Sequence, residues 1–214
     1  MSNKANFSPI EEAIEDFKQN KFLIVMDDES RENEGDLIIP AHNITSQQMA
    51  FIVKYTSGYI CAPMTNSRAD KLDLPLMSTL ECAGIHDKKS TAYTMTVDAA
   101  KGTTTGISSS DRSLTCRNLA DFVNINKPTD FIKPGHIVPL RAVDGGVVKR
   151  GGHTEAAVDL CRLSGLPEVG VIGELVREDD GEMMRLKECV EFSEKHNIKI
   201  ITVEQLISYI KSQN

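Results

Sequence analysis

The ten residues from Asp27 to Asp36 include six carboxylates and Arg31, and they separate two apolar segments. Carboxylates crowded this closely repel one another unless a cation joins them. Hard oxygen ligands favour Mg²⁺, Ca²⁺ or Mn²⁺, and the planar guanidinium of Arg31 suits a phosphate or a carboxylate. The run is therefore a candidate metal and anion site at a strand end, although an exposed acidic turn has the same composition.

A second candidate site is the segment Lys149–Thr154, which reads KRGGHT between a predicted strand and a predicted helix. Paired glycines let the backbone approach a ligand, and a helix N-terminus supplies free N–H groups with a positive dipole. Arg150 adds charge, and His153 offers an imidazole that can ligate a metal. A phosphate cradle and a plain tight turn both fit this pattern, which is neither a Walker loop nor a dinucleotide fingerprint.

Two further residues stand out by their positions. His136 follows Pro134-Gly135 and opens a predicted strand. Glu174 lies in the otherwise apolar segment Gly170–Leu175, where an unpartnered carboxylate would be costly to bury. It must meet a partner, a metal or water, or lie at the sheet end, which makes it a candidate general acid or base.

Hydrophobic periodicity predicts the elements that position these residues. Strands are expected at 22–26, 36–40, 59–64, 92–99, 137–140, 147–148, 169–175 and 198–202, and helices at 10–20, 45–53, 110–124, 154–164, 186–196 and 206–210. Ser8 and Thr45 each begin a capping-box pattern, and Thr154 and Gly165 are expected to cap and end one helix. The alternation predicts one α/β (α+β) domain over residues 1–214, with helices layered on a mixed, twisted sheet.

Composition limits the class of protein. A formal net charge of −7 over 214 residues argues against nucleic acid or an anionic membrane as the main partner. The five cysteines form no Cys-x-x-Cys pair, and no apolar run is long enough to span a bilayer. A cytoplasmic location is expected. Ser78–Ser90 lacks periodicity and is expected to be a mobile surface loop.

Together these segments resemble one known family. DDESRENEGDLIIPA at 27–41, TTTGISSSDR at 103–112, PGHIVPLRA at 134–142, RGGHTEAAVDL at 150–160 and GVIGEL at 170–175 are similar to 3,4-dihydroxy-2-butanone 4-phosphate synthases. The resemblance covers essentially the whole chain and indicates the monofunctional form. It implies a lyase of riboflavin biosynthesis that converts D-ribulose 5-phosphate to L-3,4-dihydroxy-2-butanone 4-phosphate and formate. It also implies Mg²⁺, with Mn²⁺ as a substitute, and a homodimer with active sites close to the subunit interface.

The resemblance also implies roles for individual residues. Glu32 and His153 match the metal ligands of the family, and His136 and Glu174 match positions essential for catalysis. Substrate-binding positions are matched by Arg31, Glu32, Asp36, Arg150, Gly151, Gly152, His153, Thr154 and Glu174. We expect Asp36, His136 and Glu174 to move protons while the metal stabilises an enediolate. Cys61 also lies where the family brings a residue near the site, and an inert buried thiol is an equal alternative.

Two other functions stay open from the residues alone. One is a different Mg²⁺-dependent sugar-phosphate isomerase or aldolase, which shares the chemistry up to the enediolate. The other is a non-catalytic metabolite or metal sensor. Formate release would separate the first alternative from the synthase, and turnover would separate the second.

Overall fold

The computed structural model describes residues 7–77 and 91–213. Its strands are β1 (Leu23–Met26), β2 (Gly35–Pro40), β3 (Cys61–Met64), β4 (Val97–Ala99), β5 (Phe131–Arg141), β6 (Gly170–Glu174) and β7 (Lys199–Thr202). Its α-helices are α1 (Ile10–Lys18), α2 (Ser46–Tyr55), α3 (Asn66–Lys71), α4 (Ser109–Ala120), α5 (His153–Leu163), α6 (Leu186–His196) and α7 (Val203–Ser212). The expected loop at Ser78–Ser90 lies outside the described residues.

Within the described residues, the strands form one seven-stranded mixed sheet in the order β4-β5-β3-β6-β2-β1-β7. β1 pairs parallel with β7 and β3 parallel with β5, and the other neighbours are antiparallel. The predicted fold class, a single domain with helices layered on a mixed sheet, is confirmed.

Both faces of the central strands are buried, which explains why these strands read as continuous apolar runs. Side chains alternate between the faces of a strand. Leu23 and Val25 of β1 therefore pack with α1, α5 and α7 on one face, and Ile24 and Met26 pack with residues of α2, α4 and α6 on the other. The sheet is the middle of three layers.

The register of the sheet places the candidate site. Asp36 at the start of β2 pairs with Glu174 at the end of β6, and β1 ends at Met26 on the same side. The acidic run joins β1 to β2 at this edge. Helix α5 packs on β2 and β6 and therefore begins beside the acidic run. The sheet thus brings two distant sequence segments to one edge.

Several predicted elements are wrong in detail. Residues 147–148 belong to a 3₁₀ turn, Gly146–Val148, because Gly145 and Gly146 have positive φ angles and the Val147 N–H donates to Asp159. The helix after it is capped by Gly152, so Thr154 is not the cap. A Cβ at residue 152 would lie 2.5 Å from Arg150 Nη1, so a larger residue there would displace the Arg150 guanidinium.

Two predicted strands have other bounds in the structure, and one helix was not predicted. The strand expected at 92–99 is regular only over β4, with isolated bridges at Tyr93 and Thr94, whereas β5 begins six residues earlier than expected. Helix α3 has no counterpart in the prediction. The predicted stop at Gly165 is confirmed by its φ of 68°.

Of the two predicted capping boxes, only one forms. Thr45 Oγ1 accepts from the Gln48 N–H at 3.1 Å, and the Gln48 side chain accepts from the Thr45 N–H at 3.0 Å. Helix α1 instead begins after Pro9 and has no side-chain cap, so Ser8 is not a capping residue. The Ser8 N–H donates to Ile200 O, which fixes the chain in an extended approach to the helix.

No helix in the two described ranges is both long and apolar enough to cross a membrane.

We expect Thr45→Ala to lower the free energy of unfolding by about 1 kcal/mol, because it removes a formed N-cap. Urea unfolding measures the change. Ser8→Ala is the matched control and should change the free energy by less than about 0.5 kcal/mol. An equal loss in both variants would contradict the assignment of the caps.

Candidate active site

A cavity of about 260 Å³ opens at the end of the sheet, where β2, β6 and the start of α5 meet. Six of the predicted site residues line it: Arg31, Glu32, Asp36, His153, Thr154 and Glu174. The acidic run and the glycine-rich turn, about 120 residues apart in sequence, therefore face one space.

The acidic loop is organised by the carboxylate of Asp27, which is buried. One oxygen accepts from the Glu34 N–H at 2.9 Å, and the other accepts from the Glu32 N–H at 3.1 Å and from Arg31 Nη1 at 2.9 Å. These bonds close the loop upon itself and fix the direction in which Glu32 projects. Asp27 is a structural centre that the sequence reading did not single out.

Two arginines hold the loop from opposite directions. Arg31 pairs with Asp27 and Glu32 from within. Burial alone would lower the pKa of Arg31, but the hydrogen bond to Asp27 and the charge of Glu32 outweigh burial and raise it. From outside, Arg185 Nη1 donates to the carbonyls of Glu32 and Asn33 at 2.8 and 2.7 Å.

His153 is buried at the first position of α5. Its Nε2 lies 3.1 Å from the carbonyl oxygen of Val25, which can only accept, so the ring carries its proton on Nε2. Nδ1 then offers a lone pair, and it lies 3.8 Å from Glu32 Oε2 and 3.7 Å from Asp36 Oδ1. Burial lowers the pKa of His153, which favours the neutral ring that metals require.

Asp36 is almost completely buried, and its Oδ1 has no hydrogen-bond partner among the described residues. Burial raises the pKa of Asp36 well above its usual range, and the charges of Glu174, Glu32 and Glu34 add to the effect. An orphaned carboxylate oxygen in an acidic cavity indicates that a positive partner belongs there.

These donors fit a divalent cation. Glu32 Oε2 and His153 Nδ1 can ligate it from two sides, in the pattern of a histidine oriented by a carbonyl behind it. Asp27 lies within reach of both, since one donor atom from each of the three residues falls within 4.8 Å of the others. Its two oxygens are already engaged by the loop, however, so the free oxygen of Asp36 is the better additional partner for the bound cation or its waters.

Glu174 lies at the end of β6 and is half-buried. Its Oε2 accepts from Ser57 Oγ at 2.6 Å, and its carbonyl accepts from the Ser57 N–H at 2.8 Å. The predicted alternatives for this carboxylate were a partner, a metal, water or the sheet end. Glu174 has Ser57 as its partner and also lies at the sheet end. Its Oε2 is bonded to Ser57, so Oε1 is the oxygen that can act in the cavity.

Cys61 also lines the cavity. Burial raises the pKa of its thiol well above the usual range, and the charge of Glu174 acts in the same direction. The thiol therefore stays protonated at neutral pH, which favours the inert of its two predicted alternatives.

The residues of the glycine-rich turn, Lys149–Thr154, do not all face the same cavity. Arg150 Nη1 donates to the fully buried Glu155 at 2.6 Å, and Nη2 lies 3.4 Å from Thr91 Oγ1, which lines the cavity. Gly151 lines a different cavity on the other side of the acidic loop. Thr154 faces the active-site cavity, whereas Arg150 and Gly152 lie next to it without lining it.

His136 does not line this cavity. It lies in β5, which is separated from the β6 strand of Glu174 by β3, so the two strands are two spacings, about 10 Å, apart. Its ring pairs with Asp98, and its side chain is 39% exposed.

Comparison with known proteins identifies the family. A family model for 3,4-dihydroxy-2-butanone 4-phosphate synthase matches residues 11–209. The chain belongs to this family. The synthase of Saccharomyces cerevisiae is 61% identical over 209 residues, which are 96% of this chain and 99% of the yeast protein.

Solved structures agree with this assignment. A crystal structure of the Candida albicans 3,4-dihydroxy-2-butanone 4-phosphate synthase is 58% identical, with a TM-score of 0.86, and covers 95% of this chain and 98% of its own. Another crystal structure of a 3,4-dihydroxy-2-butanone 4-phosphate synthase, in complex with two magnesium ions, is 46% identical, with a TM-score of 0.89. It covers 96% of this chain and 98% of its own.

Sequence reasoning missed several residues that shape the site of this synthase-family chain. The acidic loop is held by Asp27, and the Glu174 carboxylate is held by Ser57. The Arg150 guanidinium is held by Glu155. Asp98 was missed although it is the lone carboxylate in the strand predicted at 92–99, a signal similar to the one that singled out Glu174. Ser57 and Thr91 carry no such signal, because exposed hydroxyls are common.

We expect Glu32→Gln to weaken Mn²⁺ binding at least tenfold, because it removes a carboxylate whose Oε2 lies 3.8 Å from His153 Nδ1. Electron paramagnetic resonance of free Mn²⁺ gives the affinity. Glu29→Gln changes the same charge on an exposed part of the same loop and should stay within about threefold of the parent affinity. Equal affinities for all three proteins would remove Glu32 from the metal site.

Proposed function

We propose that this chain converts D-ribulose 5-phosphate to L-3,4-dihydroxy-2-butanone 4-phosphate and formate, as a lyase of riboflavin biosynthesis. Its membership of the synthase family supports the reaction. The observation that carries the proposal is the orientation of His153: its Nε2 lies on the carbonyl of Val25, so Nδ1 faces Glu32 and Asp36 in a cavity that Glu174 also lines.

The cofactor in this proposal is Mg²⁺, with Mn²⁺ as a substitute, held by Glu32 and His153. A bound divalent cation supplies Lewis acidity to neighbouring carbonyl and hydroxyl oxygens of the substrate. Mg²⁺ keeps several waters and takes its remaining ligands from substrate, so two protein ligands suffice. Asp36 Oδ1, which has no hydrogen-bond partner among the described residues and lies 3.7 Å from His153 Nδ1, would face the cation or its waters.

Proton transfer is the task of the side chains. Glu174 keeps one carboxylate oxygen on Ser57 and can exchange a proton at the other. Burial and the neighbouring carboxylates raise the pKa of Asp36, which favours its protonated form and makes it a second candidate proton carrier. The overall reaction needs no oxidant and no net water, because L-3,4-dihydroxy-2-butanone 4-phosphate and formate together contain the same atoms as D-ribulose 5-phosphate.

The phosphate is proposed to lie at the start of α5. The first intrahelical bond there runs from the Ala156 N–H to Gly152 O, so the N–H groups of His153 and Thr154 precede it and point towards the helix end. Thr154 offers a hydroxyl at the cavity wall. Arg150, held in place by Glu155, adds a positive charge beside Thr91 and anchors the far end of the substrate.

A homodimer would explain the position of His136. Three large apolar side chains in the elements around it, Tyr59, Ile107 and Ile132, are each about half exposed. Exposed apolar side chains grouped in this way are typical of interfaces. We propose that two copies of this chain pack through this region, which brings His136 of one protomer to the cavity of its partner.

We expect the purified protein with Mg²⁺ to release one formate for each D-ribulose 5-phosphate, to stop with a chelator and to recover when Mg²⁺ is restored. Glu174→Gln should lower kcat at least about 100-fold, because it removes a proton carrier. Glu178→Gln, an exposed carboxylate on the same chain segment, is the matched control and should keep kcat. Ketose–aldose exchange without formate, or substrate binding without turnover, would contradict the proposal.

Mixed dimers test the placement of His136. Light scattering should first give the mass of a dimer. In a purified heterodimer of Glu32→Gln and His136→Gln chains, one of the two cavities keeps all its residues if His136 acts across the interface. We then expect about half the activity of the parent dimer, while either variant alone is inactive. A heterodimer as inactive as its parents would place His136 within its own chain.

A further inference from the structure

His136 lies in a distortion of the sheet that aims its side chain. In the pairing of β4 with β5, Val97 lies opposite Ile137, but Asp98 lies opposite Ile132. Residues 133–136 of β5 therefore have no partners in the ladder, and they bulge out opposite the bond between Val97 and Asp98. Irregularities of this kind often occur beside active sites, where they redirect a side chain.

Both oxygens of Asp98 are used by His136. Oδ1 accepts from the backbone N–H of His136 at 2.9 Å, and Oδ2 lies 2.6 Å from the ring Nδ1. Asp98 is buried, whereas the His136 side chain is 39% exposed. The carboxylate thus fixes the histidine from behind through two contacts, and the ring is reachable from outside.

This arrangement determines the tautomer of the ring. An ionised carboxylate can only accept, so Nδ1 must carry the proton and Nε2 of the neutral ring must hold the lone pair. The exposed nitrogen of His136 is then the one able to accept a proton. A histidine without such a partner would exchange between its tautomers and orientations.

A loop packs closely against the pair. Gly106 has a φ of 89°, and a Cβ there would lie 2.0 Å from Asp98 Oδ2 and 2.7 Å from His136 Nδ1. The loop is itself fixed, because Asp111 Oδ2 accepts from the N–H groups of Thr104 and Gly106 at 3.1 and 3.0 Å. The Asp98–His136 pair is therefore packed on its buried side by backbone.

We propose that Asp98 is a positioning residue for His136: it holds the ring as the Nδ1–H tautomer, so that Nε2 can accept a proton from the substrate. The inference rests on the proposed function only in its last step, since the tautomer is a property of the protein without substrate. Asp98 itself does not contact the cavity of its own chain.

Asp98→Asn tests the inference with little change of shape. The carboxamide oxygen can still accept the His136 backbone N–H, but the amide then turns its NH₂ towards Nδ1. The ring must respond by moving its proton to Nε2. Nitrogen NMR of histidine-labelled protein at mildly alkaline pH reports the tautomer directly, and the spectrum of His136→Gln identifies the resonance.

We expect the parent protein to show the Nδ1–H tautomer and Asp98→Asn to show mainly Nε2–H. In the formate assay, kcat should fall about 100-fold, with KM changed less than about threefold. Asp98→Glu, which keeps an acceptor, should recover part of kcat and the parent tautomer. Asp159→Asn, which neutralises another buried carboxylate that accepts a backbone N–H, is the matched control and should retain kcat.

An unchanged tautomer in Asp98→Asn, or an unchanged kcat, would overturn the inference. Equal losses of kcat in the Asp98 and Asp159 variants would also overturn it, because the effect would then be general to buried carboxylates. Failure of the proposed function has a different signature: the parent protein would show the expected tautomer but release no formate.

Discussion

Negative charge concentrated at one edge of the sheet is the constraint on which the site depends. Glu32, Glu34, Asp36 and Glu174 all line one cavity. Two like charges 4 Å apart repel by about 4 kcal/mol at an effective dielectric constant of 20, which exceeds the roughly 1 kcal/mol of a typical hydrogen bond. Burial raises the pKa of Asp36 most, and the charges of Glu174 and Glu32 raise it further. At pH values above the ordinary carboxyl pKa, keeping Asp36 in the folded protein therefore lowers the free energy of unfolding when no metal is bound. A bound cation would offset that loss.

The chain holds this charge with backbone rather than with many opposite charges. Asp27 accepts the N–H groups of Glu32 and Glu34, so the loop keeps its shape although its members repel. Val25 O in β1 fixes the ring of His153 in α5. The same strand therefore orients the histidine and begins the acidic loop. The geometry of the site follows from the pairing of β1, β2 and β6, and local sequence alone does not determine it.

The sequence was informative where a signal was local or specific. Crowded carboxylates, paired glycines before a helix and a lone Glu174 identified six residues that do share a cavity. The mixed sheet also followed from the alternation of elements. The Ser8 and Thr154 caps were wrong, because which residue caps a helix depends on where its backbone bonds begin. The Ser8 N–H bonds to Ile200 O, and the first bond of α5 runs from the Ala156 N–H to Gly152 O. Residues 147–148 have strand-forming side chains, but two left-handed glycines turn the chain there. The distance of His136 from the cavity could not be read from sequence, since it depends on the order of β6, β3 and β5.

The central claim is that Glu32 and His153, from two distant segments, hold one divalent cation. Anomalous diffraction from crystals soaked with Mn²⁺ tests it most directly. The account predicts a peak bound by Glu32 Oε2 and His153 Nδ1, with His153 Nε2 still on the carbonyl of Val25 and Asp36 facing the ion or its waters. A peak held elsewhere on the acidic loop, with His153 uninvolved, would contradict it.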